Sequence, residues 1–242
     1  MSGPIANAAS SGHAGDGAPA RFKERLARFA HTLLEPVAGG LAGLGIRADH
    51  LSALGLVLSV GAGLAFFEGW FRWGALLMAF SGLCEVLDGQ LARRAGTVSR
   101  FGAFLDSTLD RLSEGLVLIG LAGFYISNLV ELSLDPLLVA QQVARGLEPR
   151  TWAAVALTAV VALLASFMVS YTRARAEGLG VQCKVGWFER PERLALLIVA
   201  GLFGVGPVMP GALIVLAVLS FATAVQRAAH VWMNTRGAGR DS

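Results

Sequence analysis

The chain has 242 residues, 55% of them hydrophobic and only 15% charged, with a formal net charge of +3. A mean hydropathy of +0.60 is too apolar for an ordinary soluble domain of this length, so the bilayer is the expected solvent. The basic balance does not point to nucleic acid, because Lys and Arg cluster beside apolar segments, where membrane topology and anionic headgroups account for them.

Residues 1–20 are small and polar, without the cationic start and apolar core of a signal peptide, and are expected to be a disordered tail. The membrane domain is expected over 21–235, followed by a C-terminal tail at 236–242. It starts with a surface helix over 21–36, where Phe22, Leu26, Phe29 and Leu33 recur at helical spacing and Lys23, Arg25 and Arg28 fall on another face. Six spans are then predicted: His50 to Gly69, Trp70 to Val86 running on into Arg94, Phe101 to Val130, Thr151 to Tyr171, Leu194 to Val208, and Pro210 to Trp232. The predicted fold class is all-α and polytopic, with six transmembrane helices plus the interfacial helix. With six spans, Arg72, Arg145 and Arg150 lie on one side and all other Lys and Arg on the opposite side. The positive-inside rule therefore puts both termini, the connection after Asp88 and the segment Arg173 to Arg193 in the cytoplasm of an inner membrane.

The second and third spans carry acids at helical spacing. Glu85, Asp88 and Ala92 share one face, and Gly102, Asp106 and Asp110 share another. A short turn through Gly96 predicts antiparallel neighbours whose four carboxylates converge at the cytoplasmic end. Such a set repels itself unless cations are present, and hard oxygen donors without His or Cys suit Mg²⁺ or Mn²⁺. Gly89 and Gly102 permit close approach of a ligand, Ala92 clears space, and the guanidinium fork of Arg93 matches a phosphate. The alternatives are a solvated interfacial network with Arg93, Arg94, Arg100 and Arg111, or a proton or cation pathway.

At these residues the sequence resembles the CDP-alcohol phosphotransferase family. The signature Asp, two residues, Asp-Gly, two residues, Ala-Arg, about eight residues, Gly, three, Asp, three, Asp is carried by Asp88-Gly89, Ala92-Arg93, Gly102, Asp106 and Asp110. Glu85 stands where the signature has its first aspartate. The resemblance implies two divalent ions held by Glu85, Asp88, Asp106 and Asp110, with Asp110 also the base for the acceptor hydroxyl. It implies that Gly89, Ala92, Arg93, Ser99 and Gly102 border a CDP-lipid of the CDP-diacylglycerol or CDP-archaeol type. Asp49 and Ser52 would touch the nucleotide, helix capping being the alternative reading of that pair.

The second half is similar to the branch of the family whose acceptor is inositol 1-phosphate, through the stretches Ser170 to Glu177 and Glu189 to Arg193 and through Gln226-Arg227. There the resemblance implies that Arg173, Arg175, Arg193 and Arg227 bind the acceptor phosphate, and that the protein is a homodimer. Independently, an arginine in an apolar final helix calls for an anion. Alternatives are topogenic charge for Arg173, Arg175 and Arg193 and a salt bridge to a neighbouring acid for Arg227. The expected reaction transfers a phosphatidyl or archaetidyl group to inositol 1-phosphate with release of CMP. The rival readings are the same chemistry with glycerol 3-phosphate or another polyol, and a cation carrier or lipid-binding protein without catalysis.

Overall fold

The computed structural model describes residues 32–97, 99–144 and 149–236, in helices joined by turns and irregular stretches such as 181–189, with no strand among them. The expected N-terminal tail, residues 21–31 of the surface helix and residues 237–242 lie outside the described set. Residues 32–43 form a helix, α1, in a unit that ends at Ile46; it runs beyond the expected limit at Pro36.

The second unit, from Arg47, holds α2 (Ala48–Phe67), α3 (Phe71–Ala95), α4 (Arg100–Leu134), α5 (Pro136–Ala144), α6 (Pro149–Gly178), α7 (Arg190–Leu202) and α8 (Val208–Thr235). Among the described residues α2, α3, α4, α6 and α8 are long and apolar enough to cross a bilayer. Their outer faces carry Val57, Leu64, Phe80, Ile119, Leu157, Ile214 and Val218, all exposed, a surface that suits lipid rather than water.

The fifth expected span differs. Helix α7 begins earlier than Leu194, where Pro191 favours the first turn, and it stops before Gly204, whose φ of 81° ends the helical path. Its 13 residues reach about 20 Å, short of the roughly 30 Å hydrocarbon core, so it is not one of the five. The connection between the third and fourth expected spans contains the additional short helix α5.

Going round the bundle, α2 packs on α3, α3 on α7, α7 on α8, α8 on α6, α6 on α4, and α4 back on α2. The interior is filled by Met78, Leu118, Leu121, Leu197, Met209, Leu213 and Leu216. Helices α2 and α4 meet backbone to backbone, because a β-carbon at Gly120 would collide with the Gly63 carbonyl. The Ser59 and Ser81 hydroxyls share a 2.8 Å hydrogen bond, and Ser81 also donates to the Gly55 carbonyl at 2.8 Å, fastening α2 to α3. One end of the bundle is closed by edge-on contacts of Phe66 with Phe71, Phe71 with Phe124, and Phe124 with Tyr125.

The expected pairing of α3 with α4 is not the main one. Both lean on α2, so the turn between them spans a gap rather than a tight hairpin. That turn is built locally: Gly96, at φ 63°, ends α3, and the Ser99 hydroxyl accepts the Gly102 amide at 2.9 Å to start α4.

Candidate active site

The end of the bundle opposite the aromatic cluster is open. Residues 101–106 of α4 are all exposed, whereas from Ser113 the same helix turns its residues into the core. Within this opening Asp88 is buried, and its Oδ2 accepts a 2.7 Å hydrogen bond from the Ser52 hydroxyl of α2. Glu85 lies one turn back on α3 and Asp110 faces it from α4. Between them sits the guanidinium of Arg190, paired through both terminal nitrogens with Glu85 and through Nη1 with Asp110 Oδ1 at 3.0 Å. Asp106 is exposed and stands within electrostatic reach of Asp88, Glu85, Arg190 and Arg111.

The four acids expected to converge therefore do face a common space. Among the described residues no three of them close on a single point as they stand; the guanidinium of Arg190 separates Glu85 from Asp110. The donor set, four carboxylates on two helices, offers the hard oxygen atoms that suit divalent cations such as Mg²⁺ or Mn²⁺.

Arg93 folds back along α3, its Nη1 3.5 Å from the point a β-carbon on Gly89 would occupy. Ala92 is half-buried beside it, and Asp49 is exposed in the first turn of α2. Ser99 and Gly102 are joined as the α4 cap. The alternative reading pairs these acids with Arg93, Arg94, Arg100 and Arg111; the arginine that bridges Glu85 and Asp110 is Arg190.

A second cluster adjoins the first. Arg227, 2% exposed, donates to the Val185 carbonyl at 2.8 Å, the Val169 carbonyl at 2.7 Å and Glu189 Oε1 at 2.8 Å. The salt-bridge alternative for Arg227 is thus met by Glu189. Arg173 pairs with Glu177 at 2.9 Å and stands 3.9 Å from the same Glu189 oxygen, while Arg175 is exposed. Arg193, 1% exposed, is committed elsewhere: it grips Glu114 of α4 with contacts of 2.6 and 2.8 Å. It lies within electrostatic reach of Arg227, but its main donors are taken. Both cysteines are free and buried.

Sequence reasoning passed over Glu189, Arg190 and Glu114. The signal for Glu114 was present, since it extends the stripe Gly102, Asp106, Asp110 by one more step of four. For Glu189 and Arg190 the only signal was the charge density of Glu189-Arg190-Pro191-Glu192-Arg193, which does not say which groups they meet.

The model of one family, described as CDP-alcohol phosphatidyltransferase, matches residues 46–226. The chain belongs to the CDP-alcohol phosphatidyltransferase family. It is thereby an integral membrane enzyme, and the non-catalytic reading falls away. The chain is 35% identical to the archaetidylinositol phosphate synthase of Methanothermobacter thermautotrophicus over 219 residues, covering 89% of this chain and 95% of that one. It is 33% identical to the phosphatidylinositol phosphate synthase of Mycobacterium tuberculosis, covering 81% of this chain and 84% of the relative. The crystal structure of the M. tuberculosis synthase with CDP-DAG bound superposes with a TM-score of 0.67 at 32% identity, over 85% of this chain and 94% of that chain. The same synthase in complex with manganese and citrate gives 0.66 at 33% identity, over 81% and 88%.

Proposed function

We propose that this phosphatidyltransferase moves the phosphatidyl or archaetidyl group of a CDP-lipid onto inositol 1-phosphate and releases CMP. The observation that carries the reading is that a cluster of acids and a cluster of arginines adjoin at two consecutive residues, Glu189 and Arg190. One cluster suits metal-bound pyrophosphate and the other a second phosphate, which is what an acceptor already phosphorylated requires. Free inositol would leave the arginine cluster without a ligand.

In this reading Glu85, Asp88, Asp106 and Asp110 hold two Mg²⁺ or Mn²⁺ ions. Bound there, the ions supply charge neutralisation for the pyrophosphate and the departing CMP. Arg93 offers its fork to a phosphate oxygen, and Gly89, Ala92 and Gly102 leave the backbone open to the nucleotide. Asp49, Ser52 and Ser99 would touch the nucleotide, and Ser52 also holds Asp88 through its 2.7 Å bond. Arg173, Arg175 and Arg227 receive the acceptor phosphate, while Arg193 stays paired with Glu114. The acceptor hydroxyl oxygen forms a bond to the lipid-side phosphorus as the bond from that phosphorus to CMP breaks. The hydroxyl proton passes to a carboxylate oxygen of Asp110.

The open end and both termini lie in the cytoplasm, where nucleotide and sugar phosphate are found. Support comes from the Lys and Arg distribution and from the course of α7, which starts beside Glu85 and ends with Gly201 against Ala75, near the Arg72 end of α3.

Purified protein supplied with CDP-diacylglycerol or CDP-archaeol, Mn²⁺ and a panel of acceptors provides the test. CMP release that depends on inositol 1-phosphate is expected. Equal release with glycerol 3-phosphate would replace the proposed acceptor, and release with free inositol would remove the need for the arginine cluster.

A further inference from the structure

Glu189 and Arg190 are consecutive, oppositely charged, and inserted into opposite clusters. The Glu189 carboxylate sits among arginines, 2.8 Å from Arg227 Nη2 and 3.9 Å from Arg173 Nη1. The Arg190 guanidinium sits among acids, held by Glu85 and by Asp110. An anion thus lies in the cluster assigned to a phosphate and a cation in the cluster assigned to metal ions. A pair with a purely structural role would engage partners that have no other ligand to receive. Glu189 also closes the capping box of α7 with Glu192, but every ion-pair partner, Arg173, Arg227, Glu85 and Asp110, belongs to one of the two proposed subsites.

The backbone ties these two side chains together. The Glu189 amide donates to Glu192 Oε2 at 2.9 Å, and the Arg193 amide donates to the Glu189 carbonyl at 3.2 Å, so Glu189 is the cap and Arg190 the opening residue of the first turn of α7. Displacement of one side chain by rotation or shift of that turn moves the other. The side chains are 41% and 22% exposed, so neither is sealed into the core and an incoming ion can compete for its partners.

We infer that Glu189 and Arg190 form a two-pronged internal plug that couples metal binding to acceptor-phosphate binding. A divalent cation entering among the acids displaces Arg190, and the withdrawing turn takes Glu189 off Arg227 and Arg173. Acceptor phosphate entering among the arginines does the reverse. Linkage then requires each ligand to tighten the other by the same factor. Both are positioning residues, since each acts through the groups it releases. This rests on the proposed assignment of the two clusters to metal and acceptor phosphate.

The experiment uses full-length protein in nanodiscs, with free Mn²⁺ read by electron paramagnetic resonance and inositol 1-phosphate binding by calorimetry, each ligand alone and with the other saturating. Wild type is expected to show mutual tightening of about fivefold or more, the lower end of ordinary allosteric coupling. Glu189→Gln and Glu189→Ser, the latter keeping a residue that caps helices well, should bind inositol 1-phosphate more tightly without Mn²⁺ and lose most of the coupling. Arg190→Gln should bind Mn²⁺ more tightly without acceptor, an arm that does not depend on the helix cap. Coupling of wild-type size in all three variants overturns the plug, because the ion and the phosphate would then be in direct contact. A wild-type protein that binds Mn²⁺ but no inositol 1-phosphate overturns the acceptor assignment itself, and the plug with it.

Discussion

Two arginines three positions apart, Arg190 and Arg193, differ because they meet acids at different depths. Arg193 and Glu114 are both out of water, so the pair cannot lose one member cheaply: the survivor is a buried, unpaired charge. Arg193→Ala should therefore destabilise the bundle by about 3–5 kcal/mol, and the double replacement Arg193→Met with Glu114→Leu should recover much of it. Thermal unfolding in detergent checks both; an Arg193→Ala protein of normal stability with weakened acceptor binding would favour the role expected from sequence. Asp106 and Asp110 stand in the open end of α4 and contribute little to packing. Asp106→Asn and Asp110→Asn should leave the melting temperature nearly unchanged and cut CMP release by more than the roughly 100-fold typical of losing an outer-shell partner of a metal site. Turnover near wild type in either variant removes that carboxylate from the proposed metal site.

At the scale of elements, small residues decide which helices touch. Gly63 and Gly120 let α2 and α4 approach backbone to backbone, and Gly82 leaves room for the Leu194 side chain, where a β-carbon would stand only 2.7 Å from Leu194 Cδ2. Gly120→Ala has no flexible neighbour to push aside, since the obstacle is the Gly63 carbonyl, and it should cost about 1–3 kcal/mol as an overpacked contact. Gly211→Ala, with nothing within 4 Å of its new carbon, is the matched control and should be neutral or slightly stabilising. Equal melting temperatures for the two variants would mean that α2 and α4 do not cross as described. The same scale explains α7: set along α3 with Leu194 beside Gly82 and Gly201 beside Ala75, it begins level with Glu85, while α3 continues ten residues further to Ala95. The first turn of α7 is thereby placed at the acids rather than beyond them.

For the whole molecule, the bilayer lets large apolar side chains lie outside as well as in the core, while the buried charges gather toward one end. The proposed orientation predicts that a C-terminal tag is cleaved by protease in inside-out vesicles and protected in right-side-out vesicles. A tag cleaved only in the latter would turn the protein over and place the open end outside the cytoplasm. The acids and arginines adjoin only because the ring of helices brings α3, α4, α6, α7 and α8 to that end, joining residues more than a hundred positions apart, such as Glu85 and Arg190.

Composition and periodicity were enough for the helical membrane fold, and the spacing of Glu85, Asp88, Asp106 and Asp110 was enough to expect carboxylates facing one another from two successive helices. These are local properties: hydropathy over some 20 residues determines a span, and a step of three or four residues determines a helix face. Which cation meets Glu85 and Asp110, which acid meets Arg193, and which helix lies between α3 and α4 were not local. Every Arg in the basic segments carries the same charge in the sequence, and only packing separates Arg193, buried against Glu114, from Arg190, set between Glu85 and Asp110, and from Arg175, left exposed. Charge attraction acts through space, and the spacing across a bundle is decided by side-chain volume and helix contacts, which the order of residues along one helix does not contain.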